Sequence, residues 1–402
     1  MQNNNLPDWW KIVKLKDYTT ERKQKNKANE ELTVFSISNK RWFVKSDDYF
    51  EWQVYSKDLK NYKIVKKWEF WFSPPRINVW SIAYMEEHEI WVISPIYVVF
   101  ALKDWIDLNF FRYFMKWHLF NKQVNNYTQW AVRQNLSYDD FWKIELLLPP
   151  LEVQKEIAWK LNDLDKLIET QNNQIEKYEK LKKAMIKKLI SEWIWHAEFK
   201  EDKYLGKIPK EWEVKKLWEI VSINDDTIWK NFDKNKSIKY VEISSVETWK
   251  IINHDEYIFK DSPVRARRII KTWDLIISTV RPYLKQFVLI SDKYNDFIVS
   301  TWFAVLRCRN YYNKFLFQYF LSQNTIDQIN NFLVWVWYTA INTTNLKEIY
   351  FQIPKLEEQK KIADILENID NLLEKEREIK EWYEKVKKWI VSLVFSCNLL
   401  IK

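Results

Sequence analysis

The chain has 402 residues, a formal net charge of +9 and a pI near 9.0. This length allows two or more ordinary domains, and the absence of any run of 18 apolar residues excludes an ordinary transmembrane helix. Two cysteines and four scattered histidines exclude a disulfide framework and a zinc site, so neither a metal nor another cofactor is expected. The polar start MQNNNLPDWWK lacks the regions of a signal peptide, which predicts a cytoplasmic protein without membrane contact. The excess of lysine and arginine favours a polyanionic partner, although a lysine-rich proteome would give the same balance.

The contents of glycine and tryptophan are abnormal. The chain has one glycine, Gly206, and 25 tryptophans, whereas glycine is about 7% of an average protein. Trp68, Trp249 and Trp273 stand in the strings KKWEF, ETWKI and KTWDL, where a turn needs a residue with positive φ. We hypothesise that most of the tryptophans are glycines of a lineage that reads the codon UGA as glycine. The alternative is a protein truly rich in tryptophan, and aromatic clusters here are poor evidence for base stacking.

In chain order, the first half contains β-branched and aromatic runs such as WVISPIYVVF (91–100), which predict strands. LNFFRYFMKWHLF (108–120) has a helical pattern. The string LPPLEVQKEIA (148–158) then introduces charged helix formers without proline. This order predicts a mixed α/β (α+β) domain over residues 1–148 and a long helix over residues 149–190.

The second half repeats the first. IPKLEEQKKIA (353–363) matches LPPLEVQKEIA at seven of eleven positions, at a spacing of 353 − 148 = 205 residues. KKWEFWFSPPR (66–76) runs parallel to KTWDLIISTVR (271–281), whereas the rest of the two middles agrees poorly. The tandem arrangement therefore predicts a polar connector over residues 191–207, a second α/β domain over 208–353 and a second long helix over 354–402.

The second long helix carries mostly apolar residues at alternating spacings of four and three, which is typical of a coiled coil, and the first has a less regular pattern of the same kind. In the second helix the seam is Ile365, Ile369, Leu372, Glu376, Ile379, Tyr383, Val386, Ile390 and Leu393, and in the first it is Leu161, Leu164, Ile168, Gln171, Ile175, Tyr178, Leu181, Met185 and Leu189. We expect the two helices, each roughly 50 Å long, to pair as an antiparallel coiled coil. The alternative is two surface helices, each folded onto its preceding domain.

The sequence offers no recognisable catalytic site. A phosphate-binding GxxxxGK[ST] loop is absent even if tryptophan stands for glycine. The paired prolines lie in SPPR and LPPL rather than in an NPPY-type loop, and no nucleophile has a recognisable base beside it. These observations favour a binding protein over an enzyme.

The chain resembles the specificity (S) subunit of type I restriction-modification systems over essentially its whole length. The resemblance rests on two copies of Pro-x-Leu-Glu-x-Gln-Lys-x-Ile-Ala, at residues 149–158 and 354–363, each between a variable domain and a long helix. The Pro-x-x-Trp pattern ahead of each domain is similar to the family's domain start, so Trp10 and Trp212 are expected to be genuine tryptophans.

This resemblance implies that each α/β domain is a target recognition domain for one half of a split DNA site, and that the helices set the spacing. It implies double-stranded DNA, two methyltransferase (M) subunits and motor-nuclease (R) subunits as partners, with no catalytic residue in the chain itself. Because the two middles differ, the target is expected to be asymmetric. Subunit docking and the start of the spacer would fall to the repeated strings, at Leu151, Gln154, Ile157, Leu356, Gln359 and Ile362.

Candidate DNA contacts follow from side-chain chemistry, because arginine pairs with guanine, asparagine and glutamine with adenine, and lysine mostly with phosphate. Arg76 and Arg281 occupy equivalent places in the two halves. The other candidates are basic, amide-bearing or hydroxyl-bearing positions of the two domains: Arg133, Gln134, Asn135, Arg265, Arg267, Arg268, Lys271, Lys285, Asn342 and Thr343. Salt bridges within a domain or a solvated face would explain the same arginines without DNA.

Two alternatives to this function remain. A two-headed coiled-coil interaction protein would show no salt-dependent binding to DNA. A specificity subunit of a methylation-only system would be revealed by its neighbouring genes.

Overall fold

The computed structural model describes residues 10–38, 42–49, 55–79, 81–84, 86, 88–129, 136–191, 195–228, 232–335 and 339–395. The chain divides into two compact units, of which unit 1 comprises residues 1–172 and 378–402 and unit 2 comprises residues 173–377. Each unit therefore combines one globular domain with the first part of the long helix that follows it and the last part of the other long helix. No helix in the described ranges has an apolar stretch that could cross a bilayer.

The globular domain of unit 1 contains two four-stranded sheets. Its strands are β1 (Lys11–Lys14), β2 (Thr19–Arg22), β3 (Val34–Ser38), β4 (Trp42–Lys45), β5 (Lys63–Lys66), β6 (Phe70–Phe72), β7 (Ile82–Tyr84), β8 (Ile90–Ile93), β9 (Val98–Leu102) and β10 (Glu145–Leu148). Its helices are α1 (Leu15–Tyr18), α2 (Ser46–Tyr49), α3 (Leu108–Met115), α4 (His118–Gln129) and α5 (Tyr138–Phe141), and the long helix α6 (Leu151–Ile186) follows. The sheets have the orders β2-β9-β6-β7 and β4-β3-β8-β5, and β1 pairs with β10.

The globular domain of unit 2 repeats this topology. Its strands are β11 (Phe199–Asp202), β12 (Gly206–Pro209), β13 (Glu213–Lys216), β14 (Val221–Ile223), β15 (Ser237–Val241), β16 (Val246–Glu247), β17 (Lys250–Ile251), β18 (Asp255–Ile258), β19 (Ala266–Ile269), β20 (Leu275–Ser278), β21 (Phe287–Leu289), β22 (Ile298–Ser300), β23 (Phe303–Cys308), β24 (Val334–Trp335), β25 (Thr339–Ala340) and β26 (Tyr350–Ile353). Its helices are α7 (Leu217–Ile220), α8 (Asn313–Phe320), α9 (Gln323–Asn331), α10 (Thr343–Lys347) and the long α11 (Leu356–Phe395). The sheets β14-β23-β20-β21 and β18-β15-β22-β19 correspond to those of unit 1, and β13 pairs with β26. The two middles thus share one fold although their sequences differ.

Local sequence explains where the predicted elements end. The apolar run over residues 91–100 is split into β8 and β9 by a turn that contains Ser94 and Pro95, since proline cannot donate to a strand ladder. The helical pattern over residues 108–120 is also divided in the structure, into α3 and the start of α4. Asp107 caps the first of them, because its side chain accepts a hydrogen bond from the backbone N–H of Phe110.

The core of each unit includes the end of a long helix. In unit 1, Phe395 at the end of α11 lies 5.2 Å (ring centroid to ring centroid) from Phe110 and 5.9 Å from Phe114. In unit 2, Leu189 and Ile190, just after α6, are buried in the core. Burying one such side chain contributes about 1.5–3 kcal/mol. Each long helix is therefore fixed at its end as well as at its start.

Ion pairs within the units show that the two long helices run antiparallel. In unit 2, α6 and α11 are joined by Lys182 with Asp370 and by Glu179 with Arg377, whose side chains meet at 2.8 Å. In unit 1, Lys387 of α11 pairs with Asp165 of α6. These pairs confirm the predicted antiparallel arrangement. Parts of the predicted apolar seam remain exposed, at Leu181, Leu372, Ile379 and Leu393.

The lysine–aspartate pairs of the two units are copies of one arrangement. Lys182 and Asp370 each lie 205 residues from the corresponding member of the pair Lys387 and Asp165. In both copies a side chain from the adjacent domain also donates to the carboxylate, Gln318 to Asp370 at 2.8 Å and Tyr113 to Asp165 at 2.7 Å. Burial lowers the pKa of Lys182 to about 8 and raises the pKa of Asp370. The pair in unit 2 therefore holds charge where solvent is largely excluded, whereas the side chains of Lys387 and Asp165 in unit 1 are 26% and 42% exposed.

Removing only one member of the pair in unit 2 should be costly. We expect Lys182→Met to lower the free energy of unfolding by about 3 kcal/mol, because Asp370 then stays buried without its cation. The double variant Lys182→Met/Asp370→Leu should be neutral or more stable than the wild type, since neither charge remains to be desolvated. Denaturant unfolding of the three proteins measures both effects.

The control is the pair Glu179 and Arg377, which joins the same two helices but is about half exposed. Arg377→Met should cost less than about 1 kcal/mol. Equal costs for Lys182→Met and Arg377→Met would contradict the assignment of a buried pair.

Three tryptophans have the backbone conformation of glycine. The φ angles of Trp68, Trp249 and Trp273 are +69°, +79° and +71°, close to the +71° of Gly206. An L-residue pays roughly 1–2 kcal/mol for this conformation. The turn geometry predicted for these three strings is thus confirmed, and it supports the hypothesis of recoded glycines. Trp212 has the surroundings of a genuine tryptophan, because its side chain is 1% exposed and its Nε1 donates to Glu358 Oε2 at 3.1 Å.

Glycine at position 273 should be tolerated. Trp273 is 51% exposed, so Trp273→Gly relieves the left-handed strain while it loses the contacts of only half of the indole, and should lower the free energy of unfolding by no more than about 1 kcal/mol. The matched control Trp212→Gly should lower it by about 3–5 kcal/mol, because a packed indole is lost. Peptide masses of the native protein test the hypothesis directly, and tryptophan at positions 249 and 273 would refute it.

Candidate nucleic-acid interface

In each unit an arginine lies on a short turn that follows a buried strand. Arg76 is part of the 3-10 turn Pro74–Val79 after β6, and Arg281 immediately precedes the 3-10 turn Pro282–Leu284 after β20. Both arginines are exposed, and neither forms an ion pair with another residue in the described ranges. Each guanidinium is therefore available to an acceptor outside the chain.

The segment ahead of each long helix holds these arginine turns in place. The backbone N–H of Leu136 donates to Pro74 O at 3.1 Å, and the N–H of Ile341 donates to Thr279 O at 2.9 Å, which is the same bond 205 residues later. The N–H of Arg281 also donates to Thr339 O at 2.8 Å. The structure thus places the arginine turn beside the pre-helix segment in both units.

Among the predicted pre-helix residues, Asn342 and Thr343 lie near Arg281. The side chain of Asn342 is exposed and caps α10 by accepting from the N–H of Asn345 at 2.7 Å, so its amide nitrogen remains for an external acceptor. Thr343 is the half-buried first residue of that helix. The pre-helix candidates of unit 1, Arg133, Gln134 and Asn135, lie outside the described residues. At the 205-residue offset Asn342 corresponds to Ser137, which likewise caps a short helix, α5.

The basic run in unit 2 is spread over different environments. Arg265 is exposed, and its guanidinium carbon lies 3.8 Å from the ring centroid of Trp302. Arg267 donates to its neighbour Ala266 O at 2.8 Å. The β19–β22 register shifts between Ala266 and Arg268, and such bulges redirect side chains.

Two other members of the run are less free. Arg268 is half-buried, burial lowers its pKa to about 10, and its buried Nη1 has no hydrogen-bond partner in the described part of the chain. Lys271 pairs with Asp296. Lys285 is drawn inward, because its Nζ donates to Leu321 O at 2.9 Å and burial lowers its pKa. Arg265 is therefore the most accessible member, and Lys271 and Lys285 already have partners within the domain.

The repeated glutamine joins each domain to its long helix. Gln154 is 1% exposed; its Oε1 accepts from the N–H of Asp107 at 2.8 Å, and its Nε2 donates to Pro149 O at 2.8 Å. Gln359, 2% exposed, accepts from the N–H of Tyr312 at 3.0 Å and donates to Pro354 O at 2.9 Å. Asp107 and Tyr312 are the N-cap residues of α3 and α8. One side chain thus bonds both the proline after the last strand and the start of α3 or α8.

This geometry refines the docking role assigned to the repeated strings. Gln154, Gln359 and Ile362 are buried within the chain, so they can influence a partner only by orienting the long helices. Leu151 and Ile157 are half-buried, whereas Leu356 is exposed. Direct docking by these residues stays a prediction.

Sequence reasoning missed two apolar side chains beside Arg281. Tyr283 and Leu284 are both about half exposed on the same turn. A search for charged and amide side chains passes over such residues, and no local pattern distinguishes them from core positions. Across the described ranges, no cluster of three histidine, cysteine, aspartate or glutamate side chains is placed to hold a metal ion.

The comparison with known proteins matches each half of the chain separately. A family model described as type I restriction modification DNA specificity domain matches residues 7–177 and again residues 209–381. The chain is 32% identical over 272 residues to the type I restriction enzyme MjaVIII specificity subunit of Methanocaldococcus jannaschii, which is 65% of this chain and 64% of that protein. It is 28% identical over 322 residues to the putative MjaX specificity subunit of the same organism, or 77% of this chain and 69% of that protein. The first of these matches spans slightly less than two thirds of the relative's length.

The fold is also found in a solved structure. The crystal structure of the type I restriction-modification system S subunit from M. genitalium superposes with a TM-score of 0.56 at 14% identity, and covers 98% of both chains. At this identity the likeness establishes the shared fold alone. Because the family model matches both halves, this chain belongs to the family of type I restriction-modification DNA specificity proteins.

Proposed function

We propose that this protein is the DNA-sequence-specificity subunit of a type I restriction-modification complex. It binds an asymmetric bipartite target in double-stranded DNA and directs methylation and cleavage by partner subunits, without a catalytic residue of its own. The observation that carries the proposal is the duplicated arginine turn. Each domain presents one exposed arginine on a turn held by the same backbone hydrogen bond.

The different sequences of the two arginine turns support the recognition of two different half-sites. After the shared arginine, the sequence continues Ile-Asn-Val-Trp at residues 77–80 in unit 1 and Pro-Tyr-Leu-Lys at residues 282–285 in unit 2. The common fold places the arginine turns equivalently, and their different side chains bind different patterns of hydrogen-bond donors and acceptors on the bases. Arg265, Arg267 and Arg268 add a basic surface in unit 2, which we assign to phosphate contacts that strengthen binding to all sequences alike.

The long helices act as spacers in this proposal. The recognition domains are residues 1–148 and 208–353, the spacers are 149–190 and 354–402, and residues 191–207 are the connector. The ends of β10 at Leu148 and β26 at Ile353, each followed within a few residues by a long helix, support these boundaries. A continuous helix sets a defined distance between its ends, because each residue adds about 1.5 Å.

Two methyltransferase subunits and motor-nuclease subunits are the proposed partners, in the cytoplasm. The relatives are named as subunits of restriction enzymes. Exposed apolar side chains on the long helices, among them Leu181, Leu372 and Ile379, support docking along the spacers.

Co-expression with the methyltransferase encoded beside it tests the function. The chain, with glycine encoded at the suspected positions, should produce a split, asymmetric pattern of modified adenines in host DNA that disappears when it is omitted. A folded complex that leaves the DNA unmodified would contradict the proposal and favour the interaction protein without DNA binding.

Substitution of the two arginines should separate the half-sites. We expect Arg76→Ala and Arg281→Ala each to cost about 1–3 kcal/mol of discrimination, at one half-site only and at a different half-site in each variant. Arg309→Ala is a matched control, because Arg309 is exposed in unit 2 but lies away from the turn, after β23. Competition binding with duplexes scrambled in one half at a time measures the effect. A uniform loss for all duplexes would instead assign these arginines to phosphate.

A further inference from the structure

The turn after Arg281 is held in an unusual conformation. Arg281 has φ +48° and ψ +52°, and Lys285 has φ +52° and ψ +37°, so two non-glycine residues within five positions are left-handed. Each such residue costs roughly 1–2 kcal/mol. Backbone strain of this kind persists only where the surrounding structure imposes it, and it is concentrated at functional sites.

Several bonds impose this conformation. The N–H of Arg281 donates to Thr339 O at 2.8 Å, and the N–H of Lys285 donates to Pro282 O at 2.9 Å. The Nζ of Lys285 is fixed on Leu321 O at 2.9 Å, and Pro282 is buried. The turn is therefore anchored at both ends and in its middle.

The result of this anchoring is the outward display of two adjacent apolar side chains. Tyr283 is 48% exposed and Leu284 is 51% exposed. A single exposed apolar residue is ordinary, but here a strained and anchored turn presents two of them beside an exposed arginine. We call Tyr283 and Leu284 the apolar tip.

The surroundings of the apolar tip favour a nucleic acid over a protein. The two chain segments that meet here, residues 279–287 and 339–345, contain the exposed Arg281 and no aspartate or glutamate. Asn342 in the second segment is exposed, and Asp327 of the adjacent α9 accepts a hydrogen bond from Gln323. An exposed arginine and amide on segments that carry no carboxylate complement a polyanion, and apolar side chains in DNA grooves contact thymine methyl groups or the faces of partly unstacked bases.

We propose that Tyr283 and Leu284 contact base surfaces in the half-site read by unit 2, and so determine its sequence together with Arg281. This inference rests on the proposed function and deepens it. The arginine supplies a directional hydrogen bond, and the apolar tip supplies contact area that depends on which base lies beneath it.

The test uses the assembled complex with its methyltransferase subunits and four duplexes: the intact bipartite target, the target with either half scrambled, and the target with both halves scrambled. Tyr283→Ala should weaken binding to the intact target about tenfold or more, and should abolish the preference at one half-site only. Its affinity for the doubly scrambled duplex and its dependence on salt should equal those of the wild type, because no phosphate contact is lost. Leu284→Ala should act in the same direction, and Tyr283→Phe should bind like the wild type because the ring is retained.

Tyr204→Ala is the matched control, since Tyr204 is 55% exposed in the same unit, on the connector hairpin, and should not affect discrimination. For Tyr283→Ala, equal weakening on all duplexes, unchanged binding, or a complex that no longer assembles would each overturn the proposed base contacts of the apolar tip. If the wild-type complex itself does not distinguish the intact target from the doubly scrambled one, the proposed function fails and the tip with it. If the wild type discriminates and Tyr283→Ala does so equally well, only the tip fails.

Discussion

The hydrogen bonds of Gln154 and Gln359 are the constraint on which both units depend. A glutamine amide carries an acceptor and donors on one group, and each of these glutamines uses both, toward the N-cap N–H of a domain helix and a proline carbonyl. Glutamate lacks the donor and methionine lacks both, so either change would leave a buried backbone group unpaired, at about 1–3 kcal/mol. Because the amide is buried, the direction in which each long helix leaves its domain is fixed by geometry rather than by a flexible hinge.

The repeat of the sequence is also a repeat of contacts. The bond from the pre-helix segment to the arginine turn, the glutamine joint and the lysine–aspartate pair each occur twice at the same 205-residue offset. Between these shared contacts the two domains keep their sheet order while most side chains differ. A shared frame with different turns is what the proposed reading of two half-sites requires, since a change in one turn leaves the frame and the other turn unaltered.

Much of this could be predicted from the sequence. The repeated strings and the heptad spacing predicted the long helices, and the strings around Trp68, Trp249 and Trp273 predicted turns with positive φ. The partners of the glutamines could not be predicted, because Asp107 and Tyr312 contribute only their backbone N–H and share no side-chain chemistry. The position of Arg281 beside a turn was predictable, but the environment of Lys285 was not, since only tertiary packing shows that this ammonium group is bound to a carbonyl within the domain.

The last turn of α11 belongs to the core of unit 1, where Val394 and Phe395 pack among residues from the first third of the chain. During synthesis Phe110 and Phe114 therefore stay uncovered by Phe395 until the second domain and its helix have been translated. Domains commonly fold as they emerge, the N-terminal one first, but here the second unit is the first to possess all of its parts. The nascent first domain therefore exposes part of its core until translation of α11 is complete, and a ribosome that stalls late leaves it unfinished.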